Sequence, residues 1–329
     1  MKRIIKLISL FVFAICLQSC QEEISLKSLG IEPKLVLYCF LSPQYDTISV
    51  SLANSQPLFS RNKTISVIEY AVVEISNDNK SWVQIHYDKA SKRYLLPQSQ
   101  FPIMEGRTYY IRASAENYES VSSSCTVPFW REVDLKPEIE VGSSKYEPYV
   151  DLYLSWQDYR GEENYYTIIE YELRDIIKWG DWIDNDWVSD TATCLSSWHL
   201  TNWDTDVIFS DEGKDGTKMR TLFDRFWNST DLTFLDDDDY SYNTYDSIYI
   251  LFVQTDRNVF LYENSCQTAS DMGGMESIFM IEPTLVYNNI KNGYGVFGAM
   301  TFKPYRVNFR QKTIEEGYNP IETEVRKGK

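Results

Sequence analysis

In DTISVSLA, residues 46–53, Ile48, Val50 and Leu52 fall on one side of an extended chain and Thr47, Ser49 and Ser51 on the other. A two-residue period of this kind makes a strand with one dry face and one wet face. It recurs in TYYIRASA, residues 108–115, whose inward set is Tyr109, Ile111, Ala113 and Ala115. It recurs again in VDLYLSW, residues 150–156, where Val150, Leu152, Leu154 and Trp156 share a face. Turn-forming stretches such as SNDNKS and MEGR separate the runs. Short alternating strands joined by such turns build antiparallel sandwiches. About seven runs fit between Lys34 and Val127, an immunoglobulin-like number. The 24 tyrosines and the 15% aromatic content suit half-buried strands and argue against disorder.

A boundary is expected in VPFWREVDLKP, because Pro128 ends a strand and a new run begins after it. Beyond it, YTIIEYEL and SIYILFVQ read as strands, the latter apolar on both faces and therefore central. The aromatic, acidic stretch from Trp179 to Asp246 is too long for a plain loop and should carry short strands or turns of its own. DRNVFLYENSCQTAS, residues 256–270, is the helix candidate: Asp256 can cap it, and Val259, Tyr262, Glu263 and Cys266 keep helical spacing. The expected chain is mainly β, with two sandwiches. A leader spans 1–19, a tether 20–33 and an immunoglobulin-like sandwich 34–130. A second sandwich with an insertion and a short helix spans 131–313, and a polar tail 314–329.

Lys2, Arg3 and Lys6 precede an apolar run from Leu7 to Leu17, a secretory pattern too short for a bilayer core of about 30 Å. The run closes on Leu17-Gln18-Ser19-Cys20, which resembles a bacterial lipobox. That resemblance implies acylation of the Cys20 thiol and cleavage before it. Each buried methylene adds roughly 0.8 kcal/mol of membrane affinity, so several chains make a firm outer-membrane anchor. Gln21-Glu22-Glu23 resembles the acidic export signal of some cell-surface lipoproteins. The net charge of −16, less the three positive charges of the leader, becomes −19, a surface that repels nucleic acid.

Without Cys16 and Cys20, four cysteines remain: Cys39, Cys125, Cys194 and Cys266. They allow three pairings. Cys39 falls in the first strand of the first sandwich and Cys125 near its last, so a disulfide between them is expected. Cys194 and Cys266 are left open. With two histidines and no CxxC, a structural zinc site is not expected, nor any cofactor.

EPKLVLYCFLSP after the lipobox, EGRTYYIRASAENYESVSSSCTVP, and LSWQDYRGEENYYTIIEYEL with its W-x-D and N-Y-Y together resemble the domain-of-unknown-function 4249 family of Bacteroidota lipoproteins. The most distinctive is EPTLVYNNIKNGYGVFGA, carrying Pro283, Asn289, Ile290, Gly293, Gly295, Phe297 and Gly298. SDEGKDGTKM departs from the family's usual phenylalanine–asparagine–glycine turn. The resemblance implies no established activity and an accessory role beside a TonB-dependent transporter.

Three constellations invite a chemical reading. Asp236-Asp237-Asp238-Asp239 offers carboxylates to a hard cation, but four consecutive acids point apart and read as a solvated loop. In SDEGKDG, Asp211, Glu212 and Asp215 surround Gly213 and Gly216, a better shape without the spacing of a calcium hand. WGDWIDNDW sets Trp179, Trp182 and Trp187 among Asp181, Asp184 and Asp186, which suits a glycan or peptide contact or, equally, a sandwich core. No GxSxG, HExxH or phosphate loop is present. The glycines at Gly293, Gly295 and Gly298 point to close backbone approach. A binding or assembly subunit that is not an enzyme is therefore expected. A surface hydrolase of glycans or peptides is the alternative, and a purely structural lipoprotein the third reading.

Overall fold

The structure, a computed structural model, describes residues 33–55, 66–143, 148–183, 186–196, 208–227, 233–235, 242–274, 285–308 and 313–316. Among the described residues it is mainly β, with large sheets and one helix. The first seven strands are β1 (Leu35–Leu41), β2 (Thr47–Asn54), β3 (Ala71–Ser76), β4 (Val83–Asp88), β5 (Arg93–Pro97), β6 (Thr108–Ala115) and β7 (Val121–Thr126). The alternation places Ile48, Val50, Leu52, Tyr109, Ile111 and Ala113 in one core. β4 turns the corner between the two layers. Its residues Val83–Ile85 pair with β3 and His86–Asp88 pair with β5. Two large tyrosines fill the middle without stranding their hydroxyls. Tyr94 donates to the Ile68 carbonyl at 2.8 Å, and Tyr109 to the Pro102 carbonyl at 3.1 Å.

The second core lies between a small sheet and a long one. The small sheet holds β8 (Lys136–Ser143), β9 (Pro148–Gln157) and β13 (Lys218–Trp227) in the order β13-β9-β8. Facing it are β10 (Tyr165–Ile183), β15 (Tyr242–Thr255) and β16 (Tyr294–Asn308). Val150, Leu152, Leu154 and Trp156 all point inward, as their two-residue period requires. β15 is central, between β10 and β16. The remaining strands are β11 (Asp186–Ser196), β12 (Ile208–Ser210), β14 (Thr233–Leu235) and β17 (Thr313–Glu316). They include the strands expected within the long acidic stretch. β17 pairs with β16, so the first residues of the expected tail are part of the sheet.

β16 joins the two sandwiches. Its residues Tyr294–Ala299 run parallel to β1, and Met300–Asn308 run antiparallel to β15. Phe297 and Ala299 enter the first core, while Tyr305 and Val307 enter the second. This close fit needs glycine. Gly295 has φ +113°, and a Cβ added there would stand 2.0 Å from the Leu37 carbonyl oxygen. Gly298 leaves room for the helix: an added Cβ would lie 2.5 Å from Val259 Cγ2. Asn289 completes the joint by pairing with the backbone of Phe297 as a strand would. Its side-chain oxygen accepts from Phe297 N at 2.9 Å and its amide donates to Phe297 O at 2.8 Å.

The helix α1 (Arg257–Gly274) starts where β15 ends. Asp256 caps it, its Oδ1 accepting from Val259 N at 2.9 Å. Among the described residues no helix is long and apolar enough to cross a membrane. Burial pushes the Asp256 carboxyl up to about 6, against the lowering effect of the Val259 and Ala299 backbone groups and Asn258. The folded state therefore holds this proton more tightly than an unfolded chain with a pKa near about 3.9. Its stabilising contribution is present at low pH and is lost as pH rises from about 4 through about 6. Asp256→Asn keeps the cap and removes the titration. Its stability relative to the parent should rise between pH 4 and pH 8, and calorimetry showing an identical gap at both would refute this.

The expected disulfide between Cys39 and Cys125 is not formed. Both are free thiols buried in the first core, and Cys266 on α1 is also free. Burial pushes Cys39 up to about 12 and Cys125 well above its ordinary value, with the charge of Asp256 and then of Cys39 adding to the second. A thiol so far above neutral pH is not a ready nucleophile for exchange.

Candidate functional site

Trp156 is the last large side chain of β9 to face the second core, where its ring meets Tyr166, Phe209 and Phe252 edge-on. Two residues later Asp158 is also turned inward and is buried. It is held from two sides. Tyr166 Oη donates to its Oδ1 at 2.6 Å and Gly216 N to its Oδ2 at 2.7 Å. The loop after β12 thereby docks on the loop after β9. Asn164 reinforces the contact, donating from its backbone N to Asp211 Oδ2 at 3.1 Å and from its side chain to the Tyr159 carbonyl at 2.8 Å. Gly161 N donates to Asp215 Oδ1 at 2.7 Å. The W-x-D and N-Y-Y segments are thus two halves of one joint.

The joint gathers charge of one sign. Asp158, Asp211 and Asp215 each present a carboxylate oxygen, all within 4.8 Å of one another. Burial pushes the Asp211 carboxyl above its ordinary value, the charge of Asp158 adds to that, and the Asn164 donors pull it back. Oxygens this close are compatible with a hard cation. Asp158, however, already accepts a hydrogen bond on each oxygen.

In front of these acids lies an open cleft of about 520 Å³, lined by Glu162, Glu163, Tyr165, Asp211, Glu212, Asp215 and Arg257 among others. A second hollow of about 260 Å³ adjoins it, with Glu162, Glu163 and Tyr165 as the common wall. Its far side is Val127, Pro128 and Phe129 at the end of the first sandwich, and its floor includes Gln254 and Thr255. Arg131 fixes the geometry. Its guanidinium pairs with the Glu162 carboxylate, through Nε at 2.9 Å, and lies over the Tyr159 ring at 4.5 Å. Its backbone N donates to Gln254 Oε1 at 2.8 Å, and Gln254 Nε2 returns a bond to the Arg131 carbonyl at 2.6 Å. The segment between the sandwiches is clamped, so the two hollows have preformed walls.

Of the residues expected from sequence to act, Asp211, Glu212 and Asp215 do meet at a cleft. The backbone register sets Trp182 opposite Trp187 and Trp179 opposite Asp190, on the hairpin of β10 and β11. The side chains of these tryptophans and of Cys194 lie outside the described residues, as do Cys20, Asp236–Asp239 and His199. His86 is exposed on β4, opposite Leu95. Asp158, Glu163, Tyr165 and Arg131 went unnoticed as a group. The available signal was an acid placed directly after an inward-facing strand, where an apolar or turn residue is the ordinary choice.

The fold and site define a double β-sandwich protein stitched by one shared strand, with an open acidic cleft on the second sandwich and a smaller hollow that joins it to the first. Its family is the one described as domain of unknown function DUF4249, whose pattern matches residues 21–306, and the chain belongs to it. No curated protein and no solved structure matches the chain.

Proposed function

We propose that this chain is a lipid-anchored binding or assembly subunit of the outer membrane in Bacteroidota, accessory to a TonB-dependent transporter. The single observation that carries a binding role is the preformed double cleft at the junction of the sandwiches. Its walls are tied by Arg131, Gln254 and Asn164 before any ligand arrives, which lowers the ordering cost of binding. The lipobox-like ending at Cys20 supports the anchor, and the acids after it support surface exposure. Trp179, Trp182 and Trp187 supply a second candidate contact for a glycan, a peptide or the transporter itself.

The test is affinity purification of the full chain from solubilised membranes. A TonB-dependent transporter should co-purify, and Trp182→Ala should weaken that capture severalfold with a nearly unchanged melting temperature. Cys20→Ala should abolish labelling by a palmitate analogue and release the protein from the membrane. Turnover of a polysaccharide or peptide, lost on changing one acid, would overturn the proposal in favour of a hydrolase.

A further inference from the structure

The double cleft carries more than its shape. Glu163, Asp211, Glu212 and Asp215 line the larger hollow, and Glu162 beside them is matched by Arg131. Among the described residues Arg257 is the one cation on that lining. The smaller hollow is mixed: Val127, Pro128 and Phe129 wall one side and the shared Glu162 and Glu163 the other, and Phe129 is 56% exposed. The two hollows share a wall, so one ligand can lay an apolar part against Phe129 and a positive part before the acids.

We infer that the double cleft binds a basic segment of a partner polypeptide, an aromatic or aliphatic side chain in the smaller hollow and lysine or arginine in the larger. The inference rests on the binding role proposed above and names the chemistry of its ligand. Charge selects this occupant. Four carboxylates around a volume of about 520 Å³ face more than a single small cation can neutralise, and the space is far larger than a bare metal ion. The raised carboxyl of Asp211 fits the same picture, because a bound cation would stabilise its ionised form.

The experiment is isothermal titration of the full chain with the blocked peptide acetyl-Ala-Phe-Arg-Lys-Ala-amide, with the Phe-Gln-Gln analogue in parallel. The basic peptide should bind at least tenfold more tightly, and its affinity should fall with added salt. Glu163→Gln combined with Glu212→Gln should weaken it tenfold or more. Phe129→Ala is the decisive variant: loss of a ring that is more than half exposed should leave the melting temperature nearly unchanged, while peptide affinity drops severalfold. Spermidine and calcium chloride are the competing probes. No saturable binding of the basic peptide, or equal binding of the glutamine analogue, overturns the inference. Tighter binding of either small cation, lost in the double variant, also overturns it, in favour of a cation site. Co-purification of a transporter that survives any of these failures would leave the binding role standing with its contact elsewhere.

Discussion

Gly295→Ala is expected to lower the free energy of unfolding by about 3 kcal/mol or more. Two separate causes combine. The backbone conformation at φ +113° is one that side-chain-bearing residues avoid, which alone costs about 1–3 kcal/mol. The added methyl would also meet the Leu37 carbonyl at 2.0 Å, and that atom belongs to the neighbouring strand's backbone and cannot step aside. Relief would require β16 to withdraw from β1, breaking the parallel ladder from Val36 to Leu41 and taking Phe297 and Ala299 out of the first core. Gly298→Ala is the contrast. No positive φ is involved there, and the first obstacle is a side-chain methyl of Val259 rather than the backbone of a paired strand. Urea unfolding should show the alanine at 295 costing clearly more than the one at 298. Equal losses, or a loss below about 1 kcal/mol at 295, would mean that β16 does not hold the sandwiches together as described.

Where the fold depends on local pattern, it is readable in the sequence. The inward sets of β2, β6 and β9 follow from alternation alone, because a strand with one buried face leaves no other arrangement. The helix follows from Asp256 and the spacing of Val259, since a cap and a periodic face are both local. The joint between the sandwiches is of another kind. Cys39 meets Phe297 across a parallel ladder, and nothing in either neighbourhood specifies that partner. Glycines at 293, 295 and 298 signal a close approach, but not to what. The candidate site is similarly divided. SDEGKDG is visible as a cation-friendly loop, yet its depth comes from Asp158 and Asn164, roughly fifty residues away, and its clamp from Arg131. The cysteines show the limit of reasoning from strand position. Placement in the first and last strands of one sandwich put both sulfurs in the same core, but it could not say whether they would bond.

Trp156→Ala should cost about 3–5 kcal/mol, as truncation of a fully packed tryptophan usually does. The ring is 2% exposed and lies 5.2 Å from Phe252 and 5.4 Å from Tyr166, so its loss would open a cavity in the middle of the second core. Trp156→Phe should cost far less than the difference in size suggests. The indole Nε1 has no hydrogen-bond partner among the described residues, and removing a buried orphan donor returns part of the lost packing energy. The alanine variant should also damage the cleft. Trp156 fixes the end of β9, and Asp158 two residues on holds Gly216 and Tyr166, the contacts that dock one wall of the site on the other. With the ring gone, Tyr166 has room to turn, and the hydroxyl that holds Asp158 turns with it. Peptide titration at a temperature where both variants remain folded separates this from simple instability. Trp156→Phe should bind the basic peptide like the parent and Trp156→Ala severalfold more weakly. If the folded alanine variant binds with unchanged affinity, the cleft does not depend on the core beneath it, and the link from W-x-D to the site is wrong.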